Sequence, residues 1–351
     1  MMKHIITLIF IIFTIGIIIL TIYNMDTTKA ESVTLANTVI AKWQTNGSPT
    51  SWSSGASGIY QTNGHEYRYV GANVNNYVRF NDELYRIIGV FDDNSHGVTG
   101  KNLVKLIVDR ELFASAWGAY NDTTNYTTYS GYNTNWLTGN LNILLNTYYM
   151  NPNDTSTYGT CENLTYYYNT DDYKTNDCSK IKTYGIQSQE LRNYIQPVTW
   201  YLKGYDSNAY SKQSFYTCER SDNTTISNCN KSSATGAATK IENTNIGLMY
   251  VSDYLYASGY FSSSAATNAS SYYYGNQNWL YNGIEWTITP IGSSASASFC
   301  VRSNGCVSDS TAYYGYGSRP SFYLKSSVYV TGGNGSYSNP YTIACDDCNA
   351  S

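Results

Sequence analysis

Positions 5–23 form nineteen consecutive residues without a charge, most of them isoleucine, leucine or phenylalanine. At about 1.5 Å rise per residue, one helix of this length crosses a hydrocarbon core of about 30 Å. Lys3 on the short flank predicts the N-terminus inside and the bulk of the chain outside. Thr28 and Ala30 stand at the −3 and −1 positions of a signal-peptidase site. The apolar run is longer than the roughly 7–15 residues of a signal peptide's core, which favours an uncleaved anchor. Either reading exposes residues 31–351 to the cell exterior.

Beyond the run, the pattern changes to short periods. Residues 33–44 place apolar side chains at 35, 39, 40 and 43, as in a short amphipathic helix. Residues 45–58 are rich in Gly, Ser and Thr and read as a linker. Residues 59–69 alternate around Asn63-Gly64, and 76–91 alternate around Asn81-Asp82; both predict hairpins. A strand is predicted at 103–108. Leu137, Leu141, Leu144 and Tyr148 predict a helix over 135–149 behind a Thr134 cap. A second helix is predicted over 189–196, capped by Ser188 and stopped by Pro197. Strands follow at 246–251, 286–289, 321–324 and 328–330, with a helical turn at 252–257. Strands, two helices, long loops and strands again define an α+β fold with antiparallel sheets. The organisation reads as 1–30 membrane anchor or signal peptide, 31–58 short helix and linker, 59–343 a single extracellular domain, and 344–351 a tail.

Charge narrows the function. The formal net charge is −4, and residues 1–30 hold two of the 21 basic but only one of the 25 acidic residues. The exported part is therefore more acidic still. A nucleic-acid surface needs a basic footprint, so that class is disfavoured, and no polybasic tract follows the apolar run. Tyrosine is in excess, 38 of 351, and sits in polar runs with Asn, Ser, Thr and Gly. Such runs resemble recognition surfaces, because a rigid amphipathic ring offers contact area at low entropy cost. AT-rich coding is the competing explanation of the same composition.

The eight cysteines lie at 161, 178, 218, 229, 300, 306, 345 and 348, none in the apolar run. An even count beyond an export signal reads as disulfides. Proximity predicts Cys161–Cys178, Cys218–Cys229, Cys300–Cys306 and Cys345–Cys348, with Asn304-Gly305 turning a hairpin between Cys300 and Cys306. Zinc is disfavoured, since only Cys345 and Cys348 have C-x₂-C spacing and the exported part has two histidines, His65 and His96. Calcium stays open: Asp92, Asp93, Asp171, Asp172, Asp346 and Asp347 offer oxygens, although an EF-hand fails because its twelfth position counted from Asp92 is Leu103. No cofactor is otherwise expected. No G-x-S-x-G elbow, P-loop or Rossmann fingerprint occurs, and Ser179-x-x-Lys182 lacks the partner motifs of an acylating serine.

Residues 77–90, 279–282, 285–290, 301–307, 318–325 and 332–341 occur in an order that resembles a family of uncharacterised bacterial surface proteins with a C-terminal domain of unknown function. The resemblance covers about 60–341 and is most specific over 246–341. That family's signature is similar in turn to the C-type-lectin-like fold of the formylglycine-generating-enzyme group. The resemblance implies that Trp286, Pro290, Gly305, Arg319 and Pro320 define the fold. It carries over no catalytic residue, and fold alone does not transfer function. In the formylglycine-generating group, cysteines and copper do the chemistry; here every cysteine has a local partner, which disfavours an oxidase.

Three functions are in view. The first is an anchored or secreted surface protein that binds extracellular glycan or protein. Its ligand-binding residues are expected in the loops holding Tyr272, Tyr273, Tyr274, Trp279, Tyr313, Tyr314 and Tyr316. The second is a structural component of the cell surface. The third is a cell-wall enzyme, whose mark would be carboxylates or a nucleophile converging in one cleft.

Overall fold

Turn chemistry sets the first strands. β1 (Gly58–Thr62) and β2 (Glu66–Val70) are joined through Asn63 at φ 52° and Gly64 at φ 83°. β3 (Tyr77–Phe80) and β4 (Glu83–Phe91) close on Asn81 and Asp82, at φ 54° and 58°. The β1–β2 loop has three residues, 63–65. In the two-residue β3–β4 loop, two left-handed residues match the right-handed twist of the ribbon, and Asn and Asp tolerate that region. β5 (Leu103–Val108) is buried at all six positions, so both faces of the sheet are covered there. The remaining strands of the two sheets are β6 (Phe113–Ala116), β7 (Ile195–Gln196), β8 (Ile246–Gly247), β9 (Glu285–Pro290), β10 (Ala297–Val301), β11 (Val307–Thr311), β12 (Gly315–Ser318) and β13 (Ser321–Leu324).

The computed structural model describes residues 32–121, 129–154, 161, 172–220, 226–265, 268–271 and 275–349. Among them, one sheet runs β1-β2-β4-β5-β13-β8, with β3 added to β4 and β7 to β13. The other runs β11-β10-β9-β12-β6, antiparallel except for the β9–β12 contact. Two neighbouring chain segments pass between the sheets: β5 into β6, and β12 through Arg319-Pro320 into β13. They stay paired on both sides, β13 with β5 and β12 with β6. The fold is α+β with mostly antiparallel sheets, and residues 34–351 form one compact unit. No helix among the described residues is long and apolar enough to cross a membrane; the expected span 5–23 lies outside them.

The helices are α1 (Leu35–Thr45), α2 (Asp93–His96), α3 (Asn140–Ile143), α4 (Asp172–Tyr184), α5 (Gln189–Arg192), α6 (Lys212–Glu219) and α7 (Val251–Ala257). α1 agrees with its predicted period: Leu35 and Val39 are buried and Thr34 caps it by accepting from the Asn37 N–H. The predicted helix 135–149 is composite. A 3₁₀ turn spans Trp136–Thr138, α3 follows, and a π-helical stretch covers Leu144–Tyr149. Asn135, not Thr134, is the cap, because the Thr134 hydroxyl is taken by Ser232 and the Ser294 carbonyl. Helix α5 has its Ser188 cap but ends at Arg192, since Ile195 and Gln196 pair with β13 instead.

Two further expectations are corrected. Residues 45–58 are no free linker: Trp52 is buried and donates its indole N–H to the Phe261 carbonyl at 2.9 Å. Backbone and side-chain hydrogen bonds, including Gly55 N–H to the Gly259 carbonyl and Ser57 Oγ to the Asn73 carbonyl, fasten the rest of this Gly/Ser-rich segment. The Cys300–Cys306 bridge is absent. The hairpin forms, but its register sets Cys300 opposite Ser308 and Val301 opposite Val307, so both thiols are free. Cys306 is then the diagonal neighbour of Cys300, and diagonal Cα separations of about 7–8 Å exceed what a disulfide spans. Cys161–Cys178, Cys218–Cys229 and Cys345–Cys348 are bonded as expected.

Candidate functional site

Six charged side chains meet in the interior where α6 and α7 pack on the first sheet. Asp253 of α7 accepts from Lys105 Nζ at 2.7 Å, Arg68 Nη1 at 2.9 Å and Arg220 Nη2 at 3.2 Å. Glu66 accepts from Arg68 Nη2 at 2.8 Å and from the hydroxyls of Ser95 and Tyr216. Glu219 accepts from the Ser252 N–H at 3.1 Å, Thr289 Oγ1 at 2.5 Å and Arg220 Nη1 at 3.4 Å. Aromatic rings wall the group: Tyr250 lies 4.0 Å from the Arg220 guanidinium and Phe91 4.5 Å from that of Arg68. Three cations balance three carboxylates, and each carboxylate has several donors. This is the arrangement that lets buried charge persist. The sequence signal was present but indirect: Lys105 stands inside an otherwise apolar strand, and Glu66 and Arg68 share one strand.

The signature residues of the resemblance are also internal. Arg319 donates to both Glu285 oxygens, at 2.6 and 2.7 Å, and to the Leu280 carbonyl at 2.5 Å. Trp286 donates to the Ser115 carbonyl at 2.8 Å, and the Gly305 carbonyl accepts from the Tyr254 hydroxyl at 2.7 Å. These contacts hold the second sheet together.

The expected ligand-binding residues divide. Tyr272, Tyr273 and Tyr274 lie outside the described residues. Trp279 is a correction: it is 6% exposed, donates to the Tyr69 carbonyl at 2.8 Å and packs 4.7 Å from the Arg86 guanidinium. A ring so enclosed is core. Tyr313, Tyr314 and Tyr316 come together, and Tyr132 joins them. Ring centroids are 4.9 Å apart for Tyr132 and Tyr313, 4.3 Å for Tyr313 and Tyr314, and 5.8 Å for Tyr314 and Tyr316, the last pair stacked at 11°. Tyr314 is 40% exposed. Behind the group, the Tyr316 ring rests on buried Trp286 at 4.8 Å, and its hydroxyl meets Arg302 Nη1 at 3.1 Å and Ser310 Oγ at 3.0 Å. Tyr132 was not foreseen, because nothing local links it to position 313.

Among the described residues, cavities open elsewhere, and three of them are lined in part by residues 45–58. One of about 360 Å³ is lined by Lys42, Thr45, Asn46, Tyr69 and Asn75 among others; one of about 320 Å³ shares Ser57 and Asn73 with it and reaches Gln277. The third, of about 230 Å³, lies beside Trp52 and Tyr256. No Asp or Glu lines any of the three. Among the described residues, no group of three or more His, Cys, Asp or Glu side chains could hold a metal ion. Burial lowers the pKa of His96, whose ring contacts the Phe91 carbonyl and the Val98 N–H.

No protein-family model, curated protein or solved structure matches the chain.

Proposed function

We propose that this protein is an extracellular binding module, anchored by residues 5–23 or released, with a lectin-like fold that engages glycan. The observation that carries this reading is the ladder of Tyr132, Tyr313, Tyr314 and Tyr316, half-buried except for the exposed Tyr314. Ring faces take the C–H face of a sugar and phenol hydroxyls take its hydroxyls. Tyr316 is set from behind by Trp286 and Arg302, so little of its side-chain freedom is lost on binding. The short-range disulfides suit an oxidising exterior.

The test is a glycan array probed with the full-length protein in nanodiscs, with calcium and with chelator. Specific hits are expected, and Y313A/Y314A should weaken them at least tenfold. A blank array on folded protein overturns the glycan reading. Hits untouched by the double substitution overturn the placement of the site.

A further inference from the structure

Lys212, the first residue of α6, is 2% exposed, yet no carboxylate among the described residues lies within ion-pair distance of it. Its ammonium donates to the Ser262 carbonyl at 2.8 Å and sits 4.6 Å from the Trp52 ring and 5.6 Å from that of Tyr256. Aromatic rings ease the burial of a cation but leave its charge whole. Burial lowers its pKa to about 8, with no neighbouring charge contributing, so the group is mostly protonated at neutral pH. The six-charge cluster balances itself; Lys212 does not.

Trp52 and Tyr256 also line the 230 Å³ cavity. The Tyr256 hydroxyl gives its one proton to Gln213 Oε1 at 2.7 Å, and the Asn63 side-chain amide meets the phenol at 3.3 Å. The Gln213 amide nitrogen then has no partner among the described residues, and neither has the buried Thr62 hydroxyl. Both side chains line the cavity. Its walls therefore hold free donors and no carboxylate, next to an uncompensated cation. That is a site for an anion. The aromatic edges and the volume, close to that of a single pyranose, narrow the class. We propose that this cavity binds a carboxylated sugar ring, its carboxylate held by the Gln213 amide and the Thr62 hydroxyl in the field of Lys212.

Ligand-observed NMR and calorimetry on the full-length protein, at fixed ionic strength, test this with glucuronate, glucose, acetate and inorganic phosphate. Glucuronate is expected to bind at least tenfold more tightly than glucose or acetate. K212M and, separately, Q213A should each weaken glucuronate at least tenfold while the thermal transition persists; Gln213 is exposed, so its loss leaves the fold intact. Y313A/Y314A should leave glucuronate binding unchanged, which separates this site from the tyrosine ladder. Equal binding of glucose and glucuronate, no binding of any probe, or wild-type affinity in K212M overturns the proposal. Phosphate binding as tightly as glucuronate overturns the sugar class.

Discussion

Asp253 shows how much a single residue carries when it is buried among opposite charges. Burial pushes its carboxyl upward, but Lys105, Arg220 and Arg68 together pull it well below the usual carboxylate range. Asp253→Asn leaves those cations short of a partner and is expected to cost about 3–5 kcal/mol, read by urea unfolding at pH 7. The native pKa lies below the unfolded value of about 3.9, so the stability that Asp253 adds is complete above about pH 4. It fades as pH falls further, and the acid limb of the stability curve should flatten in the Asn variant. Lys212 has the opposite sign. Its folded pKa, about 8, lies below that of the unfolded chain, about 10.4, so the native state pays to hold its proton. Between those values the unfolded chain binds more protons, and stability rises with pH. Lys212→Met should therefore stabilise the protein at pH 7 by about 1–3 kcal/mol, at roughly 1.4 kcal/mol per pKa unit. The advantage should shrink between about pH 8 and 10 in thermal melts. A residue whose removal helps the fold is one that structure alone does not explain.

At the scale of elements, local patterns were read well wherever the information was local. Asn63-Gly64 and Asn81-Asp82 turn where they were expected to, and Ser188 caps its helix as predicted. The composite helix at 136–149 kept its buried positions Leu141, Leu144 and Tyr148 but left Leu137 exposed, because the 3₁₀ start rotates that residue away from the face the later turns bury. The Cys300–Cys306 hairpin is the instructive miss. Composition favours a bridge and the turn forms, but register, which depends on which cross-strand pairs pack, puts the sulfurs on a diagonal. Alkylation followed by mass spectrometry should find thiols at Cys300 and Cys306 and nowhere else. Cys300 should react only after denaturation, since it is buried and its pKa is pushed up to about 12. A peptide cross-linked through both positions would show that the register differs.

For the whole molecule, the two sheets act as one body because paired segments run from one to the other. β5 and β13 belong to the first sheet, and their continuations β6 and β12 pair again in the second. Arg319 sits on that passage and is clamped by Glu285. Residues 45–58 complete the surface. Pinned by Trp52, the segment contributes to the walls of three cavities, so the stretch with the least secondary structure shapes those openings.

Sequence alone determined what is carried by neighbours along the chain: turn positions, the Ser188 cap, α1, the first strands β1 to β5, and the three disulfides that close short loops. These depend on backbone preferences and short-range entropy, which a few adjacent residues settle. It also placed Tyr313, Tyr314 and Tyr316 together, because they are close in the chain. Tertiary structure alone decided what depends on partners far apart in number. Only packing brings Tyr132 to Tyr313, buries Trp279 against Arg86, gathers positions 66, 68, 105, 219, 220 and 253 into one neutral cluster, and leaves Lys212 outside it. The physical reason is that burial and charge balance are properties of a volume, and residues that share a volume need not share a stretch of chain.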